Sequence, residues 1–431
     1  MRAAVGSTPI HSRLFNNRYQ PYRWMMDYKW AQPTEVEDPI DDQVEALVRR
    51  VFSVTDRTLG DPRRSYLVRY GGQLLNPDSE GAYDFLYSSL RPHGLTPLFR
   101  VEEGRQAVYL VPSPPEPRPS NRLVNLVLLV LTMMSVLFAG ALFAAGNDLP
   151  GTWAEGVRFI LTGWPFALSI MAILGAHEMG HYLTGRYHGI QLTLPYFIPF
   201  PLSPFGTMGA FISMKAPPKN RNHLLDVGIA GPLAGFIIAV PVLLIGLSLS
   251  TVSTLPAAPS GGPVLLLEGN SIFYLGAKYL VFGRLLPAPE SYQGIPALIY
   301  WIRYLLAGSP LPYGGLDVSL HPVAWAGWAG LLVTGLNLLP AGQLDGGHVL
   351  YVLFGRERAR LLLPLMLVAM VGLGFIWSGW WLWALLLFVL GRQYAEPLDQ
   401  ITPLSPGRRV VAILGLVLFF LVFIPVPIVL M

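Results

Sequence analysis

The feature that most constrains this chain is an uncharged apolar stretch from Leu123 to Asn147, directly after Arg122. A transmembrane helix needs about 20 consecutive apolar residues, so this stretch predicts one. Of the 431 residues, 52% are hydrophobic and only 13% are charged, which is about half the charged share of a typical soluble domain. Because most polar residues precede residue 122, the sequence predicts a small soluble part followed by a membrane-embedded part.

Further apolar segments predict spans at about 159–182, 227–249, 322–344 and from 410 to the last residue. The uncharged run from Leu361 to Gly391 would measure about 46 Å as one helix, well beyond a bilayer core of about 30 Å. Since Ser378 and Gly379 interrupt this run, we expect a helical hairpin there. The predicted fold is therefore mainly α, a polytopic membrane protein with about seven transmembrane helices.

Positive charge at the span ends predicts the orientation in the membrane. Ten basic residues fall on one side of this topology: Arg186, Lys215, Lys219, Arg221, Arg356, Arg358, Arg360, Arg392, Arg408 and Arg409. We expect that side, which carries the N-terminal domain, to be cytoplasmic. The preference for Arg over Lys favours a bacterial inner membrane over a plastid membrane. Apolar stretches in the 251–321 loop are either interfacial helices or an extra short hairpin.

The part of the chain before the first span divides into three segments. Residues 1–40 show no periodicity and predict a flexible arm. Residues 41–112 combine helical spacing with alternating runs and predict a small α+β domain, with a helix after Asp78 that ends at Gly94 and a turn at Glu103 and Gly104. Residues 113–122 form a proline-rich linker, and 123–431 form the membrane domain. The α+β domain has no metal-ligand cluster, so we expect a regulatory or docking role.

Composition excludes several kinds of site. The chain has no cysteine, which excludes disulfides, iron–sulfur clusters, thiol nucleophiles and Cys-ligated zinc. Its net charge of +4, from 30 basic and 26 acidic residues, is too balanced to argue for nucleic-acid binding. Any metal must therefore be held by His, Asp or Glu.

The second predicted span ends in LGAHEMGHYLTG, which contains His177, Glu178 and His181. Residues four apart lie on one face of a helix, so both imidazoles can reach one tetrahedral zinc ion, and Glu178 can accept the proton of an attacking water. Three ionisable residues within a span are costly and point to function. The alternative is a polar patch at the interfacial end of the span.

A third metal ligand is expected from another span. Asp345 lies in NLLPAGQLDGGH at the end of the fourth predicted span, on the same side of the membrane as the two histidines. Pro340 and Gly342 can unwind the helix there and let the carboxylate turn inward. The alternative is that Asp345 only marks the membrane boundary.

Together, HEMGH and NLLPAGQLDG resemble the paired motifs of the site-2 protease family of intramembrane zinc metalloproteases. The resemblance implies one zinc ion held by His177, His181 and Asp345, with Glu178 as general base. It also implies that Asn337 orients the substrate strand or stabilises the oxyanion. A hydrogen bond that holds the helix break is the alternative role of Asn337.

The segment FIPFPLSPFGTMGAF resembles the membrane-dipping β-hairpin of that family, with Gly206, Thr207, Gly209 and Ala210 in its GTxGA turn. The resemblance implies that these residues bind the substrate as an added strand; a structural plug is the alternative. It also points to the branch found in cyanobacteria and plastids, which lacks a PDZ module. In DVGIAGPLAGF, Gly235 replaces the Asn of some branches.

Two further histidines have open roles. His348 lies one turn after Asp345 and is expected either to support the metal ligands from behind or to lie on the helix surface. His188 follows the second span and is expected to be a solvated interface residue.

The leading hypothesis is an intramembrane zinc endopeptidase that cleaves a peptide bond in or near a transmembrane segment of another protein. Its expected partners are that membrane protein and the lipid bilayer, with no nucleic acid. The alternatives are an inactive relative that binds membrane helices, and a metal or proton transporter. A transporter would need charged residues at several depths, whereas the predicted spans carry one cluster near one side.

Overall fold

A computed structural model of the protein describes residues 41–60, 66–115, 120–145, 151–257, 265–292 and 294–431. The expected flexible arm, residues 1–40, lies outside the described residues. The chain separates into two compact units. The first comprises the described residues up to 115 together with Leu398–Thr402, and the second comprises the remainder.

The first unit is a four-stranded antiparallel sheet with two helices. Its sheet order is β1-β2-β4-β3, and its elements are α1 (Asp42–Arg49), β1 (Phe52–Leu59), β2 (Val68–Leu74), α2 (Ser79–Leu90), β3 (Leu95–Glu102) and β4 (Arg105–Pro112). The buried side chains of both helices pack on the sheet in one core, which includes Val48, Tyr83 and Phe99.

Local signals explain most of this order. The Asp78 side chain accepts the backbone N–H of Gly81 and caps α2, as expected of a helix N-cap. The left-handed φ of 69° at Gly94 ends the short 3-10 turn that follows, and Glu103 and Gly104 form the tight turn between β3 and β4 with φ of 49° and 80°. Strand β1 was not predicted, because its side chains are mostly exposed and include Asp56 and Arg57.

The second unit is mainly helical. Its principal helices are α3 (Arg122–Ala145), α4 (Trp153–Thr162), α5 (Trp164–Tyr187), α6 (Arg221–Ser248), α9 (Pro322–Asn337), α10 (Asp345–Gly374), α11 (Gly379–Leu390) and α12 (Pro406–Val422). Within the described residues, α3 and α6 are long and apolar enough to cross a membrane, and residues of α4 and α5 form a third candidate span bent by 43°. The expected seven spans are not confirmed by this criterion, since α9, α11 and α12 have 16, 12 and 17 residues, fewer than the 18 that it requires.

Close helix packing in this unit depends on small residues. A Cβ at Gly180 would lie 2.5 Å from the Ala230 carbonyl oxygen, and one at Gly327 would lie 2.6 Å from the Cα of Leu243. Helix α6 therefore approaches both α5 and α9 backbone to backbone, as small residues allow in membrane bundles. This three-helix contact places the end of α5 beside the middle of α6.

The run from Leu361 to Gly391 contains a break between two helices, α10 and α11, which pack against each other. The break covers 375–378, so α11 begins at Gly379, where the sequence predicted an interruption. Helix α10 is itself divided at Gly355, whose φ of 78° and ψ of 172° are not helical. Asp345 opens the first half of α10, and the hairpin begins in the second half.

The 251–321 region folds into short elements: β7 (Thr251–Thr254), β8 (Leu266–Glu268), α7 (Ile272–Phe282), α8 (Ala297–Ala307) and β9 (Leu316–Ser319). Strand β7 pairs with β9, and β8 pairs with β10 (Ile428–Leu430) at the end of the chain. Helices α7 and α8 have 11 residues each, about half the length that a span needs. Neither helix is therefore long enough to cross a bilayer on its own.

Candidate metal centre

Three side chains from two helices converge on one point. His177 and His181 lie on successive turns of α5, and Asp345 is the first residue of α10. The Nε2 atoms of the two histidines are 3.2 Å apart, and each lies 3.3 Å from Oδ2 of Asp345. These ligand atoms form a nearly equilateral triangle and are a group that can hold a metal ion.

The size of this triangle fits zinc. Ligands at the usual zinc distance of about 2.0–2.1 Å in a tetrahedral site are separated by about 3.3–3.4 Å. The observed separations of 3.2–3.3 Å match that edge length. Three protein ligands leave the fourth tetrahedral position for a water, as in catalytic zinc sites.

Hydrogen bonding supports a cation at this point. Nδ1 of His181 lies 2.7 Å from the carbonyl oxygen of Val227 in α6, and a carbonyl only accepts, so Nδ1 carries the proton. In the neutral ring, Nε2 is then unprotonated, and its lone pair faces the Asp345 carboxylate. Two acceptors at 3.3 Å repel each other unless a cation or proton lies between them, and the Val227 carbonyl fixes the tautomer that a metal ligand needs.

Glu178 is buried beside this triangle. Glu178 is 4% exposed, and its carboxylate lies close enough to His177, His181 and Asp345 to interact with their charges. His177 is equally buried, whereas the side chains of His181 and Asp345 retain 12% and 16% exposure. The ligand triangle is therefore largely enclosed, and Glu178 is enclosed with it.

Asn337 also reaches the site. It is the last residue of α9, and its Nδ2 lies 3.3 Å from Nε2 of His177. Leu338 caps α9 and the chain turns at Leu339 and Pro340 before α10 begins. The helix break therefore places an amide donor and the Asp345 carboxylate on the same point.

The comparison with known proteins agrees with this geometry. Residues 165–378 match Peptidase family M50. The chain therefore carries a Peptidase family M50 domain. The resemblance to site-2 proteases is thus confirmed, and the M50 segment contains both histidines, Asn337 and Asp345.

Several curated proteins are similar to this chain. "Probable zinc metalloprotease EGY2, chloroplastic" of Arabidopsis thaliana is 33% identical over 300 residues, covering 69% of this chain and 48% of that protein. "Probable zinc metalloprotease EGY1, chloroplastic" of the same plant is 30% identical over 270 residues, which is 62% of this chain and 44% of that protein. The chain spans about half the length or less of these relatives. No solved structure matches it.

The glycine-rich turn of α6 in the M50 segment leaves room for the histidines. A Cβ at Gly231 would lie 2.1 Å from Nε2 of His181, and one at Gly235 would lie 3.2 Å from Nδ1 of His177. The absence of a side chain at Gly231 is therefore required for the His181 ring to reach the site. The Asn that some branches carry at the position of Gly235 would stand against His177.

His348 lies in the first turn of α10, buried against Gly228 of α6. Its Nδ1 has no hydrogen-bond partner among the described residues. The alternative of a helix-surface residue is wrong, because the residue is only 6% exposed. It stands behind the Asp345 turn rather than in the ligand triangle.

The predicted β-hairpin of the M50 segment is present as β5 (Tyr196–Pro199) and β6 (Thr207–Phe211). Gly206 and Gly209 have φ of 71° and 102°, and the Thr207 hydroxyl donates to the Ile198 carbonyl at 2.8 Å. The Ser135 hydroxyl of α3 donates to the Gly206 carbonyl. The turn is thus held on α3, and β6 contacts α5.

The expectation for His188 is wrong. Its side chain is 8% exposed and its Nε2 lies 2.9 Å from Oδ2 of Asp226. Arg408 of α12 donates to the same carboxylate from Nε and Nη2, and the rings of His188 and His223 stack at 4.0 Å. The cluster joins α5, α6 and α12; only the packing of three separate helices reveals it.

A second polar cluster was not predicted. The Lys278 side chain of α7 is fully buried, with Nζ 3.3 Å from Glu268 and 3.9 Å from Asp317. The Tyr274 hydroxyl also donates to Glu268, at 2.9 Å. These residues come from α7, β8 and β9, so the cluster joins three elements of the 251–321 region.

Proposed function

We propose that the chain is a zinc-dependent endopeptidase of the site-2 type, which hydrolyses a peptide bond within or near a transmembrane segment of another protein. The observation that carries this proposal is the ligand triangle of His177, His181 and Asp345 with the buried Glu178 beside it. The relatives named as probable zinc metalloproteases support the same activity.

The proposed zinc ligands are His177 and His181 through Nε2 and Asp345 through Oδ2. A zinc ion bound there would act as a Lewis acid that activates water and polarises the scissile carbonyl. The hydrogen bond from His181 to Val227 orients the ring and holds a proton on Nδ1, which leaves Nε2 to face the ligand point. The Asp345 carboxylate balances part of the metal charge.

Glu178 is the proposed general base. It follows His177 directly in α5, and its burial away from bulk water reserves it for the water at the site. It takes the proton from the attacking water and delivers it to the nitrogen of the leaving amine. A carboxylate at this place in HExxH sequences has this role because it adjoins both histidines without being needed as a ligand.

Asn337 is proposed to bind the substrate carbonyl. Its Nδ2–H2 group is directed at the ligand triangle, so it can donate to an oxygen that gains negative charge during the attack. The same amide would fix the substrate strand before reaction. The alternative role, support of the helix break, predicts no selective loss of kcat.

The hairpin is the proposed binding edge for the substrate. Strand β6 pairs with β5 on one side, and Met208 and Phe211 are exposed. An unwound substrate segment can add to this edge through main-chain hydrogen bonds, with Gly206, Thr207, Gly209 and Ala210 as contact residues. The open backbone at Gly209, where a Cβ would meet nothing within 4 Å, suits such close approach.

We further propose a multi-pass topology of seven spans, in which α9, the two helices of the Leu361–Gly391 run and α12 also cross. Exposed apolar side chains along α11 and α12, such as Leu385, Phe388, Leu414 and Val417, support it. In this proposed topology the site and the N-terminal domain are cytoplasmic, which the excess of arginine at the span ends on that side supports. These arginines favour a bacterial inner membrane, whereas the relatives carry the word chloroplastic in their names.

The test combines metal content with cleavage. Purified wild type should contain about one zinc ion per chain, which is lost in His177→Ala and Asp345→Ala. Glu178→Gln should retain zinc and lose about 10²–10⁴ in kcat on a reconstituted membrane substrate. The matched control is Glu290→Gln, which alters an exposed carboxylate in the 251–321 region. Full cleavage by Glu178→Gln would refute the mechanism, and a folded wild type without zinc would refute the site.

A further inference from the structure

Residues 391–402 lie between α11 and α12, and they are divided between the two units of the chain. Residues up to Pro397 belong to the second unit, and Leu398–Thr402 belong to the first. We call residues 391–402 the strap. A simple connection between two helices would be exposed to water, but in the strap Glu396, Asp399 and Thr402 are buried, Asp399 completely.

The first end of the strap lies on the loop that carries Asp345. Nε2 of Gln343 donates to Oε1 of Gln393 at 3.0 Å. Gly342 has a left-handed φ of 57°, and a Cβ there would lie 2.7 Å from Cα of Gly391. The strap therefore contacts the residues two and three positions before the proposed metal ligand, with no space between the two backbones.

The middle of the strap is fixed to α10. The Tyr394 hydroxyl donates to the Ala359 carbonyl at 3.1 Å. Glu396, which is 6% exposed, forms an ion pair with Arg356. Both contacts lie just after the break at Gly355, so the strap restrains the half of α10 that follows the break as well as the loop before its first residue.

The second end of the strap, residues 398–400, pairs with β3 as a minimal strand with a single bridge. The Phe99 N–H of β3 donates to the Leu398 carbonyl at 3.0 Å, and the Gln400 N–H donates to the Phe99 carbonyl at 3.1 Å. The bridge between Phe99 and Asp399 is parallel. This strand covers the edge that β3 would otherwise present.

Side chains strengthen that addition. Nη1 of Arg100 donates to the Leu398 carbonyl at 2.8 Å, and the hydroxyls of Ser79 and Thr402 are hydrogen bonded at 2.8 Å. The Asp399 carboxylate accepts the backbone N–H groups of Ile401 and Thr402. Leu398 and Ile401 pack against the core of the first unit.

We infer that the first unit acts as a positioning module for the Asp345 loop, because the strap that completes its sheet is the same segment that packs on Gly342 and Gln343. When the strand of the strap is paired with β3, the loop is held in the arrangement that closes the ligand triangle. When it is released, the loop loses its support. The effect on catalysis rests on the proposed function; the effect on the loop does not.

Two kinds of variant test this inference in the full-length protein in detergent or nanodiscs. Leu398→Ala weakens the strand within the first unit, and Leu47→Ala is its matched control, since Leu47 packs on the same core without belonging to the strap. Ser79→Cys with Thr402→Cys supplies a disulfide lock: the two hydroxyls are 2.8 Å apart, so the thiols that replace them face each other, and the chain has no other cysteine.

The first readout is hydrogen exchange of the amides at 341–347 and 391–397. Leu398→Ala should raise exchange at both segments by about tenfold, within the range of measured couplings between sites, and Leu47→Ala should not. The oxidised double-cysteine protein should exchange more slowly there than the same protein reduced. Faster exchange confined to 398–402, with 341–347 unchanged in every variant, would overturn the inference.

The second readout is the division between kcat and KM. Loss of loop positioning should lower kcat by about tenfold with little change in KM, and oxidation of the double-cysteine protein should restore it. A kcat that stays at the wild-type value in Leu398→Ala while 341–347 exchanges faster would overturn the catalytic part. If wild type cleaves nothing, the proposed function fails, and the exchange data still decide whether the first unit positions the loop.

Discussion

Gly231 lies so close to His181 that a Cβ at position 231 would be 2.1 Å from the Nε2 atom that faces Asp345. A non-bonded carbon does not approach a ring nitrogen so closely, so either the ring or the helix would have to move. The ring is held from its other side by Val227, a residue of the same helix α6. One turn of α6 thus both orients a proposed ligand and makes room for it.

Gly231→Ala should therefore abolish metal binding while leaving the protein folded. The added methyl displaces the imidazole from the ligand triangle, and three ligands become two. Zinc content measured by mass spectrometry of the purified protein provides the check. Gly276→Ala in α7 is the control, because a Cβ there meets nothing within 4 Å. Normal zinc content in Gly231→Ala would show that the ligand geometry is wrong.

Asn337→Ala should retain zinc but cleave more slowly. Removal of one donor to a developing oxyanion typically reduces kcat by about 10²–10³, and KM should change less. The measurement is steady-state kinetics together with zinc content on the same preparation. Equal losses of zinc and activity would instead assign Asn337 to the helix break.

Acid should stabilise the 251–321 region through Asp317. Burial, reinforced by Glu268 and opposed by Lys278, raises the pKa of Asp317 to about 7 from its ordinary value of 3.8. The folded state then binds a proton that the unfolded state releases, so this stabilisation is complete below the lower pKa and is lost as the pH rises through 7. The Tm should fall between pH 5 and pH 8. Asp317→Asn should flatten that dependence, and a slope unchanged in this variant would contradict the assignment.

Lys278→Met should destabilise the protein strongly at pH 7. The change leaves Glu268 and Asp317 buried without their ammonium partner, and breaking a buried pair typically costs about 3–5 kcal/mol. Thermal unfolding is the measurement, with Lys215→Met, at a position outside this cluster, as the control. The loss should be smaller at pH 5, where Asp317 is protonated, and an equal loss at both pH values would argue against this origin.

The sequence predicted the metal centre better than its surroundings. The spacing of His177 and His181 on one helix is a local property, and Asp345 was placed by the break after Asn337. The same break makes α9 end at Asn337, seven positions before the predicted end of that span at 344. The predicted span was too long because the apolar residues continue beyond the end of α9 into the turn that follows it.

Contacts between distant positions account for what was missed. The environment of His188 depends on Arg408, and Lys278 meets Asp317 only through the fold of the 251–321 region. The strap has no hydrophobic period that would predict a strand, and only its pairing with β3 makes it one. Neither periodicity nor motif spacing reports such pairings.

The strand donated by the strap also sets an order of events during synthesis. Arg100 and its partner Leu398 are 298 positions apart, so the edge of β3 in the first unit stays without its partner until synthesis has passed residue 398. At the usual pace of about 5–20 residues per second, that edge stays unpaired for about 15–60 s. Folding of the first unit is thus completed late, only after the helices between β3 and the strap have been synthesised.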